Sequence, residues 1–149
     1  MKKLLLVTGF LIFIFSFISA ADASAQARKA VSGAETTGTF REAASGSEFK
    51  ILALGKGKLR VAFSGVYPYK TARGEATANM GEASGEAEIS GDRATFKPAD
   101  TEQCLITIKF LKRGRLKVMQ KGTDAECGFG NNVSAAGDYK KISARRPKF

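Results

Sequence analysis

CLITIKFLKRGRLKVM, residues 104–119, is the stretch that decides the fold. Apolar side chains occupy every second position on both sides of the turn sequence Lys112-Arg113-Gly114. These alternating residues are Cys104, Ile106, Ile108 and Phe110, followed by Leu116 and Val118. A period of two is typical of a strand with one buried face, and two such runs joined by a short glycine-containing turn predict an antiparallel hairpin.

The same alternation recurs in both directions from this hairpin. Residues 49–54 and 59–64 form two runs around the turn sequence Gly55-Lys56-Gly57-Lys58, and further runs cover 83–96 and 136–142. No segment after the N-terminal region keeps apolar residues at helical spacing. The sequence therefore predicts an all-β domain, a small antiparallel barrel or sandwich of about 7–8 strands.

A glycine stands two positions before an aromatic residue at three places. The copies are Gly38-Thr39-Phe40, Gly65-Val66-Tyr67 and Gly137-Asp138-Tyr139. Side chains two apart share a face of a strand, so the glycine leaves room for the ring. Because the first and last copies bracket the domain, we expect the first and last strands to pair. By contrast, 70–81 is rich in small residues and is expected to be an irregular loop at one barrel mouth.

The N-terminus has the organisation of an export signal. Lys2 and Lys3 precede an apolar run, and small residues after it offer cleavage after Ala20, Ala25 or Ala27. We expect a signal peptide at 1–25, a flexible leader at 26–38, a β domain at 39–143 and a basic tail at 144–149. The expected product is a periplasmic or secreted bacterial protein with no integral membrane span in its mature form.

Cys104 and Cys127 are the only cysteines of the chain. In an exported domain of this size, an even number of cysteines predicts a disulfide. A redox-active pair is the alternative, but such pairs usually have two residues between the cysteines. We therefore expect one structural disulfide.

The chain is strongly basic, with 24 Lys and Arg against 14 Asp and Glu and a net charge of +10. Such a charge favours contact with polyanions, although it is equally typical of a solvated surface. The 104–119 hairpin concentrates basic residues that we take as a candidate binding patch: Lys109, Lys112, Arg113, Arg115 and Lys117. An anionic envelope polymer is the expected partner, and nucleic acid remains an open alternative.

Residues with recognised catalytic or metal-binding patterns are scarce. The chain has no histidine, which removes histidine-activated nucleophiles and the commonest metal ligand. Glu82, Glu86 and Glu88 could suggest an acid pair or a calcium site, but they form the outward half of an alternating strand. We therefore predict no catalytic residue, no metal, no cofactor and no enzymatic activity.

The segment Cys127-Gly128-Phe129-Gly130-Asn131-Asn132-Val133 predicts a rigid bend fixed by the disulfide. Its Phe129 could fill the core, which is the preferred interpretation, or project as a binding anchor. Phe129 is therefore kept as a candidate binding residue.

Over 49–142, the strand rhythm, the cysteine pair and the elements Gly128-Phe129-Gly130 and Gly137-Asp138-Tyr139 resemble small exported β-barrel proteins of Gram-negative bacteria, including lysozyme inhibitors. Those inhibitors occupy the substrate cleft with a loop that often has Ser and Tyr beside Gly. Here Ser64-Gly65-Val66-Tyr67 is similar, so the resemblance implies that Tyr67 belongs to a contact with a secreted protein.

Two functions follow as hypotheses. The first is an exported, non-enzymatic binding module that recognises an anionic partner through its basic face. The alternative is a periplasmic inhibitor of a secreted hydrolase such as lysozyme. A barrel filled by side chains would favour surface recognition over binding of a small ligand in a cavity.

Overall fold

The computed structural model describes residues 30–99 and 101–149. The predicted signal peptide, with its three cleavage positions, lies outside the described residues. The described chain begins with a short helix, α1, at Gly33–Thr36 and contains a 3-10 turn at Ala125–Cys127. Its strands are β1 Gly38–Glu42, β2 Glu48–Gly55, β3 Lys58–Lys70, β4 Ala76–Ser90, β5 Arg93–Phe96, β6 Leu105–Leu111, β7 Arg115–Lys121 and β8 Gly137–Ser143.

These strands form a closed antiparallel barrel in which each pairs with its sequence neighbours. β1 and β8 complete the ring, with Phe40 opposite Lys141 and Arg41 opposite Lys140. The predicted all-β domain is thereby confirmed, and of the two predicted architectures it is the barrel and not the sandwich. The predicted pairing of the first and last strands is confirmed as well. Closure leaves the barrel body without a free edge, which is how small β proteins avoid edge-to-edge association.

The barrel interior is filled by side chains. Phe49 packs against Phe63 with ring centroids 4.8 Å apart and against the edge of Tyr139 at 4.9 Å. Phe40 and Phe96 are also completely buried. Barrels of eight strands have an interior just wide enough for side chains to fill. The filled core therefore directs the search for function to the outer surface and the barrel ends.

The predicted disulfide between Cys104 and Cys127 is present, with a Cα–Cα distance of 4.8 Å. It joins the residue before β6 to the 3-10 turn after β7, and both cysteines are buried. The segment after Cys127 is thereby fixed at the barrel end that also holds the β1–β2 turn.

The opposite barrel end is covered by residues that we predicted to be a flexible leader. Ser32 caps α1, because its hydroxyl accepts the Glu35 N–H while the Glu35 carboxylate accepts the Ser32 N–H. The Val31 N–H donates to the Gly91 carbonyl at 3.2 Å. Residues 31–38 are thus attached to the barrel by hydrogen bonds that composition alone did not indicate.

The prediction of an irregular loop over 70–81 was wrong for most of that segment. β4 begins at Ala76, and its first residues pair one by one with β3, from Lys70 opposite Ala76 to Gly65 opposite Gly81. Only 71–75 forms the turn, where the Thr71 N–H donates to the Glu75 carbonyl. Alanine and glycine have low strand preference on their own, and pairing with β3, which has Val66, Tyr67 and Tyr69 in this part, overrides that preference.

Within residues 30–99 and 101–149, no helix is both long and apolar enough to cross a membrane.

Candidate functional site

Basic residues face one another on the outer side of four consecutive strands, β6, β7, β8 and β1. Lys109 is directly opposite Lys117, Arg115 is opposite Lys140, and Lys140 is in turn opposite Arg41. We call this surface the basic wall; its members are Arg41, Lys109, Arg115, Lys117 and Lys140. Three of them were predicted from the hairpin sequence. The other two come from strands that only barrel closure brings beside it.

The two remaining basic residues of the predicted patch, Lys112 and Arg113, lie in the β6–β7 turn at the end of the basic wall. Both are exposed. Arg113 has a positive φ of 62°, followed by Gly114 at 64°. The structure therefore places all five predicted basic residues on one hairpin, three on its outer face and two at its tip.

The basic wall places like charges next to each other. Like charges directly opposite on paired strands destabilise a sheet. In the described chain, the ion pairs are Arg41 with Glu48 and Lys58 with Glu86. The other four members of the basic wall therefore have no ion-pair partner there. Among the paired positions of the described strands, acidic residues face the basic wall at Asp138, opposite Lys117, and at Glu48, opposite Arg41. An external anion would relieve the repulsion.

Lys141 neighbours the basic wall in sequence but has a structural role. Its Nζ donates to the carbonyls of Ala34, Glu35 and Thr37 at 2.8 to 3.0 Å, and it lies 5.0 Å from the Phe40 ring centroid. Burial lowers the pKa of this amine. Lys141 therefore fastens α1 to the barrel and does not contribute to the outer surface.

A second surface is formed by the far half of the β3–β4 hairpin. We call Gly65–Lys70 with Ala76–Gly81 the ribbon. β2 pairs with β3 only up to Ser64, and β5 pairs with β4 only from Ala87, so the ribbon extends past its neighbours. Tyr67 and Tyr69 are exposed on one face, and Met80 is exposed on the other.

The edges of the ribbon are partly blocked. The buried Ser47 hydroxyl accepts the Val66 N–H at 3.0 Å, and Pro68 has no N–H to offer. On the other edge, the Gly130 N–H donates to the Met80 carbonyl at 3.0 Å, and the Asn79 amide donates to the Asn131 carbonyl at 2.7 Å. The ribbon therefore presents its side chains to a partner more than its backbone N–H and carbonyl groups.

The segment Cys127–Val133 closes the barrel beneath the ribbon. Phe129 is buried there, with its ring centroid 5.2 Å from that of Phe63, so this residue fills the core. Asp124 holds the segment in place, since its carboxylate accepts the N–H groups of Asn132 at 2.6 Å and Ala125 at 2.8 Å. These hydrogen bonds hold the pKa of Asp124 below its ordinary value.

The carboxylates of β4 do not converge on a reaction centre. Glu86 pairs with Lys58 at 3.3 Å, and both side chains are largely exposed. Glu86 lines a surface depression of about 900 Å³ that Phe149 also borders, and the Arg60 guanidinium lies 4.9 Å from the Phe149 ring centroid. Among the described residues, no three His, Cys, Asp or Glu side chains are grouped so that they could hold a metal ion.

The chain matches no family model, no curated protein and no solved structure.

Proposed function

We propose that this protein is a non-enzymatic binding module that recognises an anionic partner through the basic wall. The observation that carries the proposal is the row of facing like charges, Lys109 with Lys117 and Arg115 with Lys140, on a barrel whose interior is filled. A polyanion would neutralise these charges and release its counterions, which favours binding at low salt.

The proposed setting is outside the cytoplasm, in the periplasm or the secreted fraction. The signal-like N-terminus and the disulfide both support export. Expression of the full chain in a Gram-negative host and mass measurement of the product would test it. We expect a product beginning at Ala21, Gln26 or Arg28 in the periplasm or medium. A full-length product retained in the cytoplasm would contradict export.

Binding to dextran sulfate, measured at increasing salt concentrations, tests the anionic partner. We expect wild-type affinity to fall steeply with salt. The variant K109A/K117A should bind several-fold more weakly at low salt and show a shallower salt dependence, because fewer counterions are released. The control K58A/K70A removes the same charge from β3, outside the basic wall, and should bind nearly as well as wild type.

Two results would overturn this function. Absence of binding at low salt would show that the basic wall has no affinity for polyanions. Equal weakening by K58A/K70A and K109A/K117A would show that net charge, and not the basic wall, determines binding.

The ribbon supports a second candidate, inhibition of a secreted hydrolase such as lysozyme. The supporting observation is the pair Tyr67 and Tyr69, exposed on a ribbon fastened by Ser47 and Gly130. A rigid aromatic projection suits insertion into a cleft, since little conformational entropy is lost on binding. We expect Tyr67→Ala to reduce inhibition of lysozyme. The control Met80→Ala, on the opposite face of the ribbon, should leave inhibition unchanged. No inhibition by the wild-type protein would eliminate this candidate.

A further inference from the structure

We infer that the anionic partner of the basic wall is a lipid surface, and that aliphatic side chains of the same wall enter its headgroup layer. This inference rests on the proposed function and specifies the chemistry of its ligand. It requires a surface that combines exposed basic and exposed apolar groups on the same strands.

Exposed aliphatic residues occur beside the lysines of the basic wall. Met119 is 45% exposed and stands two residues after Lys117 on β7, while Ile142 is 51% exposed and stands two residues after Lys140 on β8. Residues two apart share a face of a strand. Each aliphatic side chain therefore points outward with the neighbouring lysine.

The aliphatic residues lie on either side of the charges along the barrel axis. Leu105 and Met119 lie toward the disulfide end of β6 and β7, with Leu105 opposite Lys121. Ile142 lies toward the α1 end, near the last residue of β8. The members of the basic wall occupy the region between them. A flat anionic layer could thus contact apolar groups at both ends and phosphates in the middle.

Lysine and arginine side chains suit this arrangement. Their methylene stems can lie along apolar surface while their charged ends stay in the polar layer. Lys117 and Lys140 could therefore reach lipid phosphates while Met119 and Ile142 lie deeper. A purely soluble polyanion would use the charges and leave the aliphatic side chains in water.

The composition of this surface argues against single-stranded nucleic acid as the partner. Proteins that bind single strands usually stack bases on aromatic side chains. The outward positions of β6, β7 and β8 include no aromatic residue. The exposed aromatics of the described chain are elsewhere: Tyr67 and Tyr69 on the ribbon, and Phe149 in the C-terminal tail.

Vesicle flotation tests the inference. The probes are vesicles of phosphatidylcholine alone, vesicles that also contain phosphatidylglycerol, dextran sulfate and a single-stranded oligonucleotide. We expect wild type to bind the phosphatidylglycerol vesicles and not the phosphatidylcholine vesicles. The variant M119S/I142S should bind the anionic vesicles about tenfold more weakly, because apolar side chains no longer enter the layer. Its binding to dextran sulfate should be unchanged.

The control is L54S, since Leu54 is similarly exposed, at 46%, but lies on β2 outside the basic wall. We expect it to bind like wild type. Equal vesicle binding by M119S/I142S and wild type would overturn the lipid inference. If both proteins still bound dextran sulfate, the basic wall would remain a site for anions. Tight oligonucleotide binding without vesicle binding would identify nucleic acid as the partner and also overturn the inference. Several-fold weaker binding of both vesicles and dextran sulfate by K109A/K117A, with M119S/I142S weakened for vesicles only, would support both steps.

Discussion

Val133 packs so closely on Gly65 that a β carbon at Gly65 would lie 2.5 Å from Val133 Cγ1. The Phe63 ring would be 2.7 Å from the same position. Gly65 thus allows the segment after the disulfide to close the barrel under the ribbon. We expect Gly65→Ala to lower the free energy of unfolding by about 1–3 kcal/mol, the usual cost of overpacking. Urea unfolding followed by circular dichroism would measure it.

Val133→Ala provides the matched partner for this test. It removes the Cγ1 that a β carbon at Gly65 would meet, so the two changes should be coupled. We expect the double variant to be more stable than the sum of the two single losses predicts. Strict additivity would show that the close approach of these two residues does not limit what position 65 can hold.

The disulfide should stabilise the folded protein mainly by restricting the conformations of the unfolded chain. It connects residues 23 apart in sequence, and a loop of that length corresponds to about 3 kcal/mol in the chain-entropy description. We therefore expect C104A/C127A to be about that much less stable in urea unfolding. Wild type under reducing conditions should match the variant. A wild-type midpoint insensitive to reductant would contradict the prediction.

Much of the fold could be read from the sequence because the barrel is built from local signals. Alternation marked the strands, and glycine-containing turns marked the hairpins. The ribbon was missed because Ala76, Ala78 and Asn79 have little strand preference, and their conformation depends on pairing with β3. The attachment of residues 31–38 was missed for a similar reason, since its partners include Gly91, far along the chain.

The basic wall was only partly predictable. Lys109, Arg115 and Lys117 belong to one hairpin, so their common face follows from alternation. Lys140 and Arg41 join them because β8 lies between β7 and β1, and strand order is set by closure of the whole barrel. Alternation along β8 does place Lys140 on the other face of the strand from the buried Tyr139. That signal could have identified the residue as outward-facing without showing its neighbours.

Asp124 should make stability depend on pH in the acidic range. Its carboxylate accepts two backbone N–H groups that hold the segment up to Asn132, and its pKa in the folded protein is below the ordinary 3.8. A lowered carboxyl pKa contributes stability that is present above the unfolded value and is lost as pH falls through the folded value. Asp124→Asn should therefore be less stable than wild type near neutrality, and the difference should narrow in acid.

Urea unfolding of wild type and Asp124→Asn across the acidic range would measure this difference. A gap that stays constant as pH falls would mean that the charge of Asp124 is unimportant and that only the geometry of its oxygens matters. A gap that widens in acid would have the wrong sign for a carboxyl group with a lowered pKa.

Tyr139 should also make stability depend on pH, in the opposite sense and in the alkaline range. Its hydroxyl donates to the Ala135 carbonyl at 3.0 Å inside the barrel, and burial, with a smaller effect from the Glu42 charge, raises its pKa well above the ordinary 10.0. At neutral pH, Tyr139→Phe should lower the free energy of unfolding by about 1 kcal/mol, the usual loss of one hydrogen bond.

A raised phenol pKa means that the unfolded chain releases this proton first, so the contribution of Tyr139 to stability is complete below pH 10 and falls as pH rises above it. Unfolding curves of both proteins should therefore converge in alkali, and the variant could become the more stable of the two. Parallel loss of stability in wild type and variant would show that Tyr139 does not retain its proton in the folded barrel.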